Sequence, residues 1–202
     1  MSAATTGAGP TAKGLRRRNE LLDAAERLLS ATGEALTLRA VADEAGVRLG
    51  HLQHYFPTRA DLLAALLDRV LTTSLERIAE RTEPAGEAAA PAVVLDSVLG
   101  DHDEPSLVSL FTKVWSMAAH DEPAAEALRS FYADYAGHVI AIVRRHLPEL
   151  DEAEARARAE VFVMVVEGAA IFRSGIAGRR TPRTDDVLRR TLLTLLTGTT
   201  VS

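Results

Sequence analysis

The stretch Thr37–Phe56, "TLRAVADEAGVRLGHLQHYF", decides how the rest of the chain is read. Thr37 stands where a helix would begin, because its hydroxyl can accept from a free backbone amide one turn further on. Val41, Ala42 and Ala45 then make a short apolar stripe, and Gly46 breaks the helix. A second short helix is predicted from about Arg48 to Tyr55, with Pro57 closing it. It is too polar for a core helix and too patterned for a loop. Leu52 and Phe56, four apart, can pack inward, and Val47 fills the turn. Gly50, His51 and His54 project elsewhere, with Gln53 and Tyr55 on the flanks. Leu49 admits two readings: periodicity puts it on the core side, and it can also meet a thymine methyl.

Short helix, turn, short helix is the unit that seats one helix on a DNA backbone and lays the next in the major groove. The polar groups suit that task. Glutamine can donate to and accept from adenine, and an arginine such as Arg48 can fork onto guanine or a phosphate. A glycine at position 50 permits close backbone approach.

Working outward, the segment before this unit, "LRRRNELLDAAERLLSATG", places Leu21, Leu22, Ala25, Leu28 and Leu29 on one helical face, with Gly33 as its stop. After it, Thr58 caps a long helix, "RADLLAALLDRVLTTSLERIAERT", followed by a small-residue connector, "EPAGEAAAP". Helical stretches are predicted at about 91–99, 106–120, 123–147, 151–177 and 185–197. Prolines 123, 148 and 182 fall near their starts or ends. No segment shows sustained strand alternation. The expected class is therefore all-α.

The 202 residues are 47% hydrophobic and 25% charged, which is ordinary globular composition. Cysteine is absent, which removes disulfides and thiolate metal sites and favours a cytoplasmic location. The start, "MSAATTGAGPTAKG", has no apolar core of a signal peptide and reads as a disordered arm over residues 1–14. No run of about 18 uncharged apolar residues suggests a membrane span. The net charge of −5 is uneven: residues 1–70 hold 9 Lys and Arg against 8 Asp and Glu, and residues 71–202 hold 14 against 20. A locally basic head on an acidic body is compatible with DNA binding, because phosphates respond to the local field.

The run "LTLRAVADEAGVRLGHLQHYFPTRADLLAAL" resembles the N-terminal DNA-binding domain of the TetR family of bacterial repressors. Thr37, Val41, Ala42, Ala45, Gly46, Val47, Gly50, Leu52, Tyr55, Phe56 and Arg59 match its pattern position by position. "QHYFPTRADLL", "FTKVWSMAAHDEPA" and "FVMVVEGAAIF" look most like the betaine-regulator-type subgroup. The resemblance implies a helix-turn-helix domain over 15–60, joined by a long fourth helix to a ligand-binding and dimerisation domain over 61–202. It implies that Thr37 and Arg39 touch phosphates, that Leu49, Gly50, His51 and Gln53 face bases, and that His54, Tyr55 and Arg59 hold the DNA backbone. Arg16, Arg17 and Arg18 would supply an arm to the minor groove or to phosphates. Two positions depart from the pattern. Arg48 stands where the family often has a capping Ser or Thr, a loss of about 1 kcal/mol. Gln53 replaces a frequent tyrosine, so no relative's operator sequence can be borrowed.

In the larger body, residues 105–147 gather Phe111, Trp115, Tyr132, Tyr135 and His138 in a chain otherwise poor in aromatics. Together with Glu167, set inside the apolar run "EVFVMVVEGAAIF", they are the candidate lining of a small-molecule cavity. The aromatics equally suit an ordinary core. A carboxylate on such a helix must pair, face water or neutralise. The family subunits pair through their last two helices, so Val187, Leu188, Leu192, Leu195 and Leu196 are expected on a homodimer surface. "DHDE" at 101–104 reads as a solvated acidic turn rather than a metal site. No P-loop, G-x-S-x-G or dinucleotide fingerprint is present, and no catalytic residue or cofactor is assigned. The expected function is ligand-responsive transcriptional regulation, as a repressor released from a palindromic double-stranded operator by a small molecule. The alternatives are a DNA-binding regulator whose body answers to a protein partner or to no ligand at all, or a helical small-molecule-binding or catalytic protein with a vestigial DNA-binding head.

Overall fold

A computed structural model describes residues 11–30, 36–86 and 90–198. Among them the regular structure is helical, with no strand. The chain divides into two compact units, Met1–Leu66 and Leu67–Ser202. The border falls six residues beyond the sequence-based one, inside a single helix.

In the head, α1 (Ala12–Ser30) buries Leu21, Leu22, Ala24, Ala25, Leu28 and Leu29 along one face. It starts two turns before the apolar face does, so Ala12–Gly14, assigned to the arm by sequence, are helical. Residues 1–10 of that arm, and Gly33, lie outside the described residues. α2 (Leu38–Glu44) is capped by Thr37, whose Oγ1 accepts from the Ala40 amide at 3.1 Å. Its other end closes as a Schellman motif: the Gly46 amide donates to the Asp43 carbonyl at 3.1 Å and Val47 to Ala42 at 2.9 Å. Gly46 has φ +64°, which a side-chain-bearing residue adopts only with strain. That residue fixes the turn.

α3 (Leu49–Tyr55) has Arg48 at its N-cap with no side-chain hydrogen bond, as expected from the missing Ser or Thr. α4 (Arg59–Ala85) opens on a reciprocal box: the Thr58 amide donates to Asp61 Oδ2 at 2.9 Å, and the Asp61 amide donates to Thr58 Oγ1 at 3.1 Å. Leu36, Leu52, Phe56, Leu62, Leu63 and Leu66 complete the head's core with α1.

The body comprises the second part of α4, then α5 (Ala90–Gly100), a 3-10 turn at Asp101–Asp103, α6 (Pro105–Ala118), α7 (Glu122–His146), α8 (Glu152–Arg173) and α9 (Pro182–Thr197). α7 packs on α6, α8 and α9, while α5 lies against α8 and α9. Val94, Leu95, Val139, Val143, Phe162, Val166, Leu192 and Leu196 form the core between them. Two of the boundaries that differ from the sequence reading have local causes. α8 stops at Arg173 rather than running to 177, because Gly175 takes φ +87°. α9 starts three residues early, on a capping box in which Thr181 and Thr184 exchange side-chain and backbone hydrogen bonds.

α9 also corrects the expected dimer stripe. Leu192 and Leu196 are 0% exposed and belong to the body's own core, and Leu188 and Leu195 are half-buried against it. Of the five, Val187 alone is exposed, at 50%.

Candidate nucleic-acid interface and body cavity

In the head, α3 presents a polar face. Leu52 and Phe56 point into the core, while Arg48, Gly50, His51, Gln53 and His54 are exposed; Leu49, Tyr55 and Arg59 are half-buried. Thr37 and Arg39, at the start of α2, are exposed as well. The intermediate burial of Leu49 leaves both of its readings open. A Cβ added at Gly50 would meet nothing within 4 Å, so the head's own packing does not require glycine there. A close approach from outside would require it.

The tripeptide Arg16–Arg18 resolves into three environments. Arg17 Nη1 pairs with Glu20 at 2.5 Å, and its Nε donates to His51 Nε2 at 3.4 Å. Arg18 lies over the Phe56 ring, 5.4 Å from its centroid. Arg16 is exposed. Lys13, Arg16 and Arg17 of α1 border one notch with His51 and Tyr55 of α3. The fold thus sets the first turns of α1 beside the polar helix. His51 and His54 both meet the Tyr55 ring edge-on, at centroid separations of 5.6 and 5.3 Å.

In the body, a cavity of about 250 Å³ opens among α4, α5, the 3-10 turn, α6, α7 and α8. Phe111, Trp115, Tyr135, His138 and Glu167, five of the six residues singled out by sequence, line it. His138 is exposed and sits at its rim. Tyr132 does not line it. Its ring belongs to a neighbouring depression shared with Trp115, Met164 and Glu167. It nevertheless holds the wall together: Trp115 Nε1 donates to Tyr132 Oη at 2.8 Å, and Tyr132 Oη donates to Glu167 Oε2 at 2.9 Å.

Burial, with repulsion from Asp101 adding to it, pushes the Glu167 carboxyl up to about 7, against the Tyr132 hydrogen bond. Burial likewise raises the Tyr132 and Tyr135 phenols far above their ordinary range. The buried Tyr135 hydroxyl has no hydrogen-bond partner.

Sequence reasoning missed the other polar end of the cavity. Asp101 and His102 were read as part of a solvated turn, yet His102 is buried and both line the cavity. Arg77 Nη2 donates to Asp101 Oδ1 at 2.7 Å, and Ser74 Oγ stands 3.5 Å from Oδ2. Burial outweighs that pairing and raises the Asp101 carboxyl. Burial, and next the Arg173 guanidinium, lower His102 to about 4, so its ring is neutral near pH 7. The available signal was position: the turn joins two apolar helices, and its ends must follow them inward. Ser74 and Arg77 lie one turn apart on α4 and carried no such signal. No group of three or more His, Cys, Asp or Glu able to hold a metal ion occurs among the described residues. No helix among them is long and apolar enough to cross a membrane.

Residues 21–66 match the family model described as bacterial regulatory proteins, tetR family. The chain is 34% identical over 125 residues to an uncharacterised HTH-type transcriptional regulator in the dhlA 5′ region of Xanthobacter autotrophicus, a match over 59% of this chain and 62% of that one. It is 30% identical over 100 residues to the HTH-type transcriptional regulator BetI of Cronobacter sakazakii, over 49% and 50% of the two chains. The chain thus spans between half and two thirds of the length of these relatives. In fold it is similar to Salmonella enterica GusR, with TM-score 0.73 at 18% identity, covering 93% of this chain and 99% of that one. The helix-turn-helix geometry, the matched segment and the regulators aligned with it converge: residues 21–66 form a domain of the kind the tetR family model describes, and the chain is similar to transcriptional regulators that carry it.

Proposed function

We propose that the protein is a ligand-responsive transcriptional repressor, released from a palindromic DNA operator when a small molecule fills the body cavity. The observation that carries the reading is α3. Leu52 packs into the head's core with Phe56, and Gly50 and the polar residues His51, Gln53 and His54 are exposed on the opposite side. That is the requirement for reading base edges in a major groove. Thr37, Arg39, His54, Tyr55 and Arg59 would hold phosphates. Arg48, Leu49, Gly50, His51 and Gln53 would meet the bases.

The partners follow the same reasoning. The exposed large apolar side chains among the described residues, Leu15 apart, lie on α8, the segment after it, and α9. Met164 is 67% exposed, Phe172 59% and Ile176 62%. Such a patch favours a homodimer built on this face, because uncovered apolar surface is what a symmetric interface buries. A dimer would set two recognition helices on a palindrome about one helical turn, or a multiple of it, apart. Within each subunit α4 runs on from the head at Arg59 to the cavity residues Val70, Leu71 and Ser74, so a ligand touching them touches the helix that carries the head.

Ligand can release DNA only if it binds the DNA-incompetent conformation better. Selecting bound sequences from random duplex and footprinting the selected site tests the first half. Screening small molecules for loss of that footprint tests the second. A protein with no salt-dependent footprint on any selected duplex would overturn the reading.

A further inference from the structure

Resting on the reading of α3 as the base-reading helix, we propose that Arg17 of α1 is a positioning residue for His51: by donating to Nε2 it leaves the imidazole proton on Nδ1 and makes His51 a reader of guanine. The contact joins residues 34 apart in the sequence. Arg17 Nε donates to His51 Nε2 at 3.4 Å. A guanidinium has donors only, so the ring nitrogen that faces it must offer its lone pair. A neutral imidazole carries one proton, and with Nε2 accepting, that proton sits on Nδ1.

Both members of the pair are held from their far sides. Arg17 Nη1 pairs with Glu20 at 2.5 Å, one turn along α1, which fixes the guanidinium plane. The His51 ring meets the Tyr55 ring edge-on at 5.6 Å, one turn along α3, which opposes the ring rotation that would exchange the two nitrogens. Arg18, the next residue, is turned instead toward the Phe56 ring, and Arg16 is exposed. His51 is itself exposed on α3, where a base pair can reach it.

The consequence is chemical. With Nε2 occupied, His51 presents a donor and no acceptor to the groove. There guanine shows two acceptors, N7 and O6, and no donor; adenine shows one of each, cytosine a donor, and thymine an acceptor beside its methyl. A single N–H is therefore best matched by guanine. The opposite tautomer, with Nδ1 accepting, would suit the amino group of adenine or cytosine. The polarity of the reader on α3 is thus set from α1, by a residue that need not touch a base.

The test separates the donor from the charge. Arg17→Gln places an amide N–H at the same point along the side chain as Arg17 Nε, without the charge. Arg17→Met keeps a similar length and has no donor. Proton–nitrogen correlation spectra of the full-length protein at pH 8 read the tautomer, His51 being the histidine whose signals vanish in His51→Ala. Selection from random duplex reads the base, at the position whose preference is lost in His51→Ala. The proposal expects the Nδ1–H tautomer in the unsubstituted protein and in Arg17→Gln, and the Nε2–H tautomer to grow in Arg17→Met. It expects guanine at that position, favoured roughly fivefold or more in the unsubstituted protein and in Arg17→Gln, and the preference lost in Arg17→Met. Both variants should bind all duplexes more weakly by similar factors, through the lost charge. An Nε2–H tautomer in the unsubstituted protein, a base other than guanine at that position, a guanine preference that survives Arg17→Met, or one lost as fully in Arg17→Gln would each overturn the proposal. So would an unchanged selection by His51→Ala. Failure to select any duplex counts instead against the reading of α3, and the spectra then still decide whether Arg17 sets the tautomer.

Discussion

Replacing Glu167 by glutamine should stabilise the ligand-free body, and the gain should depend on pH. In the folded body the carboxyl titrates near 7 instead of its ordinary 4.5, chiefly because the site is buried. A carboxyl raised by folding binds its proton more tightly in the native state. Stability is therefore fullest below 4.5, falls as pH rises toward 7, and levels off above it. The difference between 4.5 and 7 corresponds to about 3 kcal/mol. Relaxation and water entering the cavity reduce this, so about 2 kcal/mol is the working figure. Glutamine cannot ionise and escapes the loss. The assay is urea unfolding followed by Trp115 fluorescence, which reports the body alone, for both proteins at pH 5 and pH 8 and at one protein concentration. Comparing the two gains cancels what the substitution does at every pH, including the altered Tyr132 hydrogen bond. At pH 5 part of the loss has already occurred, so the glutamine variant should gain about 1 to 1.5 kcal/mol more at pH 8 than at pH 5. An equal gain at both pH values would refute the reasoning, because Glu167 would then ionise as readily inside the fold as outside it.

Two further predictions separate packing from assembly and base reading from anchoring. Leu192→Ala, at a fully buried site, should cost roughly 2–5 kcal/mol of body stability in urea. Met164→Asp, at an exposed one, should leave unfolding of the monomer nearly unchanged and yield monomers by sedimentation; a variant that stays dimeric would move the interface off α8. Gln53→Ala and His51→Ala should relax the sequence preference recovered by selection, whereas Arg59→Ala should weaken binding to all sequences and flatten its salt dependence. Uniform losses from all three, with unchanged selected sites, would remove Gln53 and His51 from the base-reading set.

The helix-turn-helix was legible because its determinants are local. Thr37 as cap, Gly46 as the left-handed residue of the turn, and the four-residue spacing of Leu52 and Phe56 each act within one or two helical turns, where sequence distance is spatial distance. The exposed side of α3 followed by subtraction. The same locality placed the cap at Thr58 and the helix starts at Pro123 and Pro182.

What depended on distant contacts had to wait for the tertiary structure. Periodicity showed that α9 has an apolar stripe but could not say whether another helix of the same chain or a second copy covers it. α5, α7 and α8 cover Leu192 and Leu196, and the open apolar surface of the body lies elsewhere, at Val161, Met164, Ile171, Phe172, Ile176 and Val187. "DHDE" contains only groups that prefer water, and so it read as solvated. Packing of its flanking helices carries Asp101 and His102 inward, where Arg77, 24 residues earlier, meets the carboxylate. Glu167 could be recognised in sequence as a carboxylate needing an explanation. Its protonation near neutral pH depends on how much water the surrounding helices exclude and on Asp101 from another element, and neither quantity is written within one helical turn of residue 167.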